Sequence, residues 1–164
     1  MPNYCQNKLT ITDPTPEFKE FVAKGLSFDK IIECPFKSPE DGDKWRNWCV
    51  DNWGTKWDLN EADNVTFAEG DTEFFNTAWS PPASAILNLS EQFPTMSFKL
   101  DYFEGGMMFG GEVAMKNGNV ELDEEHEGSD LLLFASDVFD YEASEEEEEV
   151  EIFGLDEDEE EDEP

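Results

Sequence analysis

The stretch EFFNTAWSPPASAILNLSEQFPTMSFKLDYF, residues 73–103, contains the pattern that decides the fold. Residues 73–77 and 97–103 are rich in aromatic and β-branched residues, as strands are. Between them, Ser80 can cap a helix that begins at Pro81, since proline suits the first helical position. The apolar side of this helix consists of Ile86, Leu87 and Leu89. The stretch therefore predicts a strand, a helix and a second strand.

A similar strand and helix precede this stretch. Residues 8–12 (KLTIT) alternate polar and apolar side chains, which is typical of a half-buried strand. Thr15 is a good N-cap, Pro16 fits the first helical position, and Gly25 can end the helix. Its apolar face consists of Phe18, Phe21 and Val22. The N-terminal segment thus predicts a strand followed by a helix.

Shorter segments complete the chain order. Residues 64–68 predict a strand that turns at Gly70 into the strand at 73–77, and residues 30–34 predict another short strand. Residues 107–115 and 120–122 predict a terminal hairpin, because the Asn117-Gly118 dipeptide between them favours a tight turn. Without the connection at 26–63 and the terminal hairpin, the order is β-α-β-β-α-β.

This order predicts an α+β fold of the ferredoxin-like, split βαβ class, with two helices on one face of an antiparallel sheet. The connection is Trp-rich, and the C-terminal hairpin is additional. We expect residues 1–124 to form this domain and residues 125–164 an acidic C-terminal extension. Within the extension, residues 129–141 predict a helix. Residues 144–164 are nearly all Glu and Asp and are expected to be disordered, since like charges repel.

The net charge of −32 is distributed unevenly. Residues 1–116 contain all 10 basic side chains and carry a net charge of −9, whereas residues 117–164 contain 23 acidic and no basic side chains. Direct binding of nucleic acid or of an anionic membrane depends on a positive surface, so we expect neither.

The sequence predicts a cytoplasmic protein without cofactor or metal. The first residues lack the basic and apolar regions of a signal peptide, and the three cysteines (Cys5, Cys34 and Cys49) are expected to be reduced, buried thiols. The acidic run near the C-terminus lacks the spacing of a calcium-binding loop. His126 is the single histidine and is expected to be solvated, so no catalytic constellation is predicted and we expect a non-enzymatic protein.

Four blocks carry a family resemblance. They are residues 3–7 (NYCQN), 52–58 (NWGTKWD), 77–82 (TAWSPP) and the pattern Tyr102-x-Glu104-x-Gly106-x-x-Phe109-x-Gly111. Together they resemble the YubB ferredoxin-like family of bacteriophage and conjugative-plasmid proteins, over about residues 1–120. The resemblance implies a ferredoxin-like fold and a mobile-element origin in the cytoplasm of a host bacterium. It implies no established activity, and the acidic extension lies beyond the family's pattern.

The acidic extension is the first candidate site. Apolar residues interrupt its acidic runs, as in segments that bind a basic, grooved partner. The candidate partner-binding residues are Leu131, Phe134, Val138, Phe139, Glu145, Glu146, Glu147, Ile152, Phe153, Asp156 and Glu157. The expected partner is a host protein with a basic surface, a nucleic-acid-binding or defence protein, and the expected role is host takeover or anti-defence. The alternative is an extension that only increases solubility.

An aromatic cluster is the second candidate site. Trp53, Lys56, Trp57, Trp79 and Tyr102 are candidates for a ligand pocket, because aromatic rings stack on bases and a lysine can contact phosphate. In that case the protein is a nucleotide- or RNA-binding module, and the acidic tail increases solubility or masks the site. The alternative is that these tryptophans pack as core around the turn at Gly54.

Overall fold

The computed structural model describes residues 3–38 and 40–143 of the 164-residue chain. In chain order, the elements are β1 (Tyr4–Thr12), α1 (Pro16–Phe21), α2 (Phe28–Ile31), α3 (Gly42–Trp53), β2 (Thr72–Ala78), α4 (Ala83–Gln92), β3 (Ser97–Glu104), β4 (Phe109–Lys116), β5 (Asn119–His126) and α5 (Gly128–Phe139). One compact unit extends to Glu125, and a second begins at His126.

The five strands form one antiparallel sheet in the order β2-β1-β3-β4-β5. β1 pairs with β2 on one side, where Cys5 lies opposite Thr77, and with β3 on the other, where Leu9 lies opposite Leu100. Because β2 and β3 both run antiparallel to β1, they are parallel to each other. α4 connects them across β1, which is a split βαβ unit. The predicted α+β, ferredoxin-like class is therefore confirmed.

The hydrophobic core lies between one face of the sheet and the helices of the first unit. Phe98 and Leu100 alternate with outward-facing residues along β3, and Ile86 and Leu89 of α4 are fully buried with them. Phe18 of α1 contacts Phe98, with ring centroids 6.0 Å apart. Burying each such side chain contributes about 1.5–3 kcal/mol, so this face fixes the position of the helices.

The predicted strand at residues 64–68 is wrong, because this segment is a buried loop. Asn64 and Phe67 have φ angles of 52° and 54°, which are incompatible with an extended strand. Tertiary contacts hold the loop instead: Leu26 N donates to Val65 O at 2.7 Å, and Lys19 Nζ donates to Phe67 O at 2.9 Å. The apolar alternation therefore reflects burial of a loop in the core, not sheet pairing.

The predicted strand at residues 30–34 is also wrong, because the short helix α2 occupies Phe28–Ile31. A carboxylate distant in sequence stabilises its first turn. Asp58 accepts hydrogen bonds from Phe28 N at 2.6 Å, Asp29 N at 3.1 Å and Ser27 Oγ at 2.7 Å. This cap lies 30 residues away in the chain, so local sequence does not reveal it.

Other local predictions are close to the structure. Thr15 caps α1 by accepting a hydrogen bond from Phe18 N at 3.2 Å. The terminal hairpin is present, but its last strand extends from Asn119 to His126 and is longer than the predicted 120–122. In the second unit, α5 occupies Gly128–Phe139, where the sequence predicts a helix over 129–141. The prediction of disorder for 144–164 lies outside the described residues.

Within the described part of the chain, no helix has both the length and the apolar character needed to cross a membrane.

Candidate functional site

Three of the four sequence blocks meet beside the start of β1. Asn3 O accepts a hydrogen bond from Trp79 N at 2.9 Å, and a Cβ added at Gly106 would overlap Asn3 Nδ2. The fully buried Asn7 side chain donates from Nδ2 to Thr77 Oγ1 at 2.9 Å. The blocks at 3–7, 77–82 and 102–111 thus contact one another directly.

The remaining block, at residues 52–58, packs against the start of α4. Gly54 ends α3 with φ +90°, and a Cβ there would lie only 2.8 Å from Pro81 O. Thr55 is buried and donates from Oγ1 to Ala78 O at 2.8 Å, while Ser80 Oγ donates to Gly54 O at 2.5 Å. Only glycine satisfies both the left-handed backbone and the close approach at Gly54. All four blocks therefore build one structural junction.

Trp53 belongs to the core and is not available as a pocket residue. It is 2% exposed, and its ring centroid lies 6.0 Å from that of Phe28 and 5.4 Å from that of Trp48. Its indole Nε1 donates to Ile32 O at 3.0 Å, which satisfies its polar group. The inclusion of Trp53 in the candidate ligand pocket is therefore wrong, because burial in the helical layer uses both its ring and its N–H.

Lys56, Trp57 and Trp79 lie at the surface. Lys56 Nζ lies 4.9 Å from the centroid of the Trp79 ring, within range of a cation–π interaction. Trp57 is 37% exposed and Trp79 is 36% exposed. Each of these tryptophans could present an aromatic face to a ligand, and Lys56 is the basic group beside the Trp79 ring. We call Lys56, Trp57 and Trp79 the tryptophan patch.

Tyr102 lies in a different environment from the tryptophan patch. It is a buried residue of β3 whose side chain lines a cavity of about 260 Å³ between α4, β4 and β5. Asp123 and Glu125 of β5 line the same cavity. Burial raises the pKa of the Tyr102 hydroxyl to about 12, and the negative charges of Glu125 and Asp123 add to this effect. Sequence reasoning missed this cavity, since its residues are distant in the chain.

The second unit contains the described apolar residues of the acidic extension. Leu131 is buried, and Phe134 and Val138 are half-buried on α5. The Phe134 ring lies 4.5 Å from the His126 ring and 6.2 Å from the Phe139 ring, so three of the extension's rings form one cluster. The expectation that His126 is solvated is wrong, because this cluster half-buries it. Among the described residues of this unit, the large apolar residue that is exposed is Leu133, at 62%.

The remaining candidate partner-binding residues lie outside the described residues. They are Glu145, Glu146, Glu147, Ile152, Phe153, Asp156 and Glu157.

The acidic side chains of β5 are exposed to solvent. Glu121, Asp123, Glu124 and Glu125 are all exposed, and none of them is in an ion pair with another described residue. By contrast, Lys99 pairs with Glu112 at 2.9 Å earlier in the chain. β5 thus presents carboxylates that no basic side chain among the described residues neutralises.

Cys5 and Cys49 are free, buried thiols with little nucleophilic character, whereas Cys34 is free but only half-buried, contrary to expectation. Burial raises the pKa of Cys5 to about 12, with a further contribution from the charge of Glu104. Burial also raises the pKa of Cys49 to about 12, and the neighbouring Cys34 adds to it. A thiol with such a pKa is almost entirely protonated at neutral pH. Within residues 3–38 and 40–143, no three His, Cys, Asp or Glu side chains are arranged to hold a metal ion.

The fold and the junction define a ferredoxin-like domain with an acidic extension. A family model described as the ferredoxin-like domain in Api92-like protein matches residues 52–156, and the chain belongs to this family. The match includes α5 and part of the acidic extension. Comparisons with curated proteins and with solved structures gave no match.

Proposed function

We propose that this protein is a non-enzymatic interaction protein of a phage or plasmid, as the resemblance to the YubB family implies. Its acidic C-terminal segment occupies a basic nucleic-acid-binding surface of a host protein in the host cytoplasm, and thereby acts in host takeover or anti-defence. One observation carries the proposal: residues 117–164 contain 23 acidic and no basic side chains.

The carboxylates of β5 are available to a partner. The four acidic side chains of β5 are exposed and form no ion pair with described residues, so docking a basic surface breaks no ion pair among them. A protein surface that binds nucleic acid neutralises closely spaced phosphates with Lys and Arg. A dense row of carboxylates supplies charge of the same sign and can compete for that surface.

Apolar groups of the extension add contacts that charge alone does not provide. Leu133 is 62% exposed on α5, while Phe134 and Phe139 pack against each other. We expect the carboxylates to raise the association rate with a basic partner and the apolar side chains to slow dissociation. A segment that served only solubility would not need an exposed leucine on α5.

Capture from a host lysate tests the proposal when two chain lengths are compared. A chain ending at residue 143 keeps β5 and α5 complete, whereas one ending at 124 would cut β5. We expect the full chain to capture nucleic-acid-binding proteins that added DNA or salt displaces, and the shorter chain to lose most of this capture. Capture of the same protein by both chains, with equal affinity and salt dependence, would contradict the proposal.

A second candidate is a nucleotide- or RNA-binding module, and the tryptophan patch favours it. Trp57 and Trp79 are more than one third exposed, with Lys56 Nζ 4.9 Å from the Trp79 ring. Under this candidate, the chain ending at 143 binds the ligand as well as or better than the full chain, and Trp57→Ala abolishes binding. Fluorescence of the tryptophans during titration with an RNA oligonucleotide distinguishes the two candidates.

A further inference from the structure

The cavity beside Tyr102 combines apolar walls with a few polar groups. Leu87 of α4 and Val113 and Met115 of β4 contribute apolar walls, and Tyr102, Asp123 and Glu125 contribute polar groups. Its volume of about 260 Å³ suits a small molecule or one long side chain. All of these residues lie in the first compact unit. The cavity is therefore a property of that unit alone.

The Tyr102 hydroxyl has no partner within the described residues. Tyr102 is 7% exposed as a residue, and its hydroxyl makes no hydrogen bond to any described group. Its oxygen lies above Gly111, where an added Cβ would be 2.9 Å away. The hydroxyl faces the open space of the cavity instead of a protein group, so a ligand bound there can supply its hydrogen-bond partner.

The charged side chains that line the cavity favour a positively charged ligand. Asp123 and Glu125 line the cavity and form no ion pair with described residues, and none of the described Lys, Arg or His side chains lines it. An anion would therefore meet only repulsion from charged side chains. With a pKa of about 12, Tyr102 stays neutral and can accept a hydrogen bond from a positively charged N–H donor.

We propose that this cavity binds a guanidinium or ammonium group on an aliphatic stem. Leu87, Val113 and Met115 contact the stem, the Tyr102 oxygen accepts an N–H, and the carboxylates of Asp123 and Glu125 balance the charge. The group can belong to a free small molecule or to an Arg or Lys side chain of a protein. Asp123 and Glu125 also belong to the β5 carboxylates that the proposed function offers to a basic partner, whereas the Tyr102 hydroxyl and the apolar walls serve the cavity alone.

An NMR titration of the full chain tests this site with three probes. The probes are agmatine, the capped peptide acetyl-Gly-Arg-Gly-amide, and N-butylurea as a neutral molecule of similar shape. We expect agmatine or the peptide to shift the amide signals of the cavity residues, and N-butylurea not to do so. Agmatine alone would indicate a small-molecule site, and the peptide would indicate a partner's side chain. Shifts confined to residues outside the cavity would overturn the proposal, since the acidic chain then binds cations only diffusely.

Matched variants separate the site from general electrostatic attraction. Tyr102→Phe keeps the ring and should weaken binding about tenfold, because it removes one hydrogen bond to a charged group. Asp123→Asn with Glu125→Gln should weaken binding at least about tenfold. Glu121→Gln with Glu124→Gln removes the same charge from β5 outside the cavity and should change affinity less than about twofold. Equal losses in the two double variants would overturn the proposal.

Discussion

The residues before and after Lys116 use their polar side chains in opposite ways. In the first region, Asn7, Thr55, Thr77 and Glu104 are buried, and each makes hydrogen bonds that hold the junction of the four sequence blocks. In the second, the carboxylates of β5 are exposed and form no ion pair with described residues. The first region uses buried, hydrogen-bonded polar side chains to hold its fold, whereas the second exposes its carboxylates to solvent.

The largest expected effect comes from the junction in the first region. Gly54→Ala should lower the free energy of unfolding by about 3 kcal/mol, because φ is +90° and the added Cβ would lie 2.8 Å from Pro81 O. Gly70→Ala is the matched control, since nothing lies within 4 Å of its added Cβ. Urea denaturation measures both, and equal stability of the two variants would show that the junction does not constrain the fold.

The same substitution placed in each region sharpens the comparison. Glu104 is 1% exposed, and its carboxylate accepts from Gly106 N at 2.7 Å and Met107 N at 2.8 Å. Glu104→Gln should lower the free energy of unfolding by about 2 kcal/mol, because one of the two acceptor oxygens of the carboxylate is replaced by an N–H donor. Glu124→Gln on exposed β5 should change stability by less than about 0.5 kcal/mol. If both variants unfold at the same urea concentration, the contrast between the regions is wrong.

A smaller effect is expected on the free energy of unfolding at alkaline pH. The pKa of Tyr102 is raised from 10.0 to about 12, so between these values the unfolded chain loses a proton that the folded chain retains. The free energy of unfolding should therefore fall as pH rises through this window. Cys5 and Cys49 add to the fall from pH 9 upward, since their pKa values are also raised to about 12. Tyr102→Phe should make the fall shallower, and an unchanged slope would exclude this role of Tyr102.

The elements that could be predicted from sequence are those specified by neighbouring residues. Thr15 and Pro16 mark the start of α1, and the stretch at 73–103 predicts β2, α4 and β3 in order. The errors arise where distant contacts decide the structure. The Asp58 carboxylate caps α2 from another loop, and Glu73 Oε1 accepts from Phe67 N in the segment mistaken for a strand.

The candidate sites, too, could be predicted from sequence only where they do not depend on contacts between distant residues. An aromatic-rich sequence cannot distinguish a tryptophan that packs in the core, such as Trp53, from one that lies at the surface, such as Trp79. The cavity beside Tyr102 was not predictable, because it requires Leu87, Tyr102 and Asp123 to come together from three elements. The charge contrast between the regions needs no tertiary contact, and for that reason it could be read directly from the sequence.

The central claim is that the acidic segment carries the binding of a host partner. The most direct measurement is the salt dependence of the affinity for a captured host protein, for the full chain and for a variant with residues 145–149 changed from Glu to Gln. We predict steep loss of affinity with salt for the full chain, and for the variant about tenfold weaker binding at low salt with a shallower slope. The same affinity and the same slope for both chains would contradict the claim.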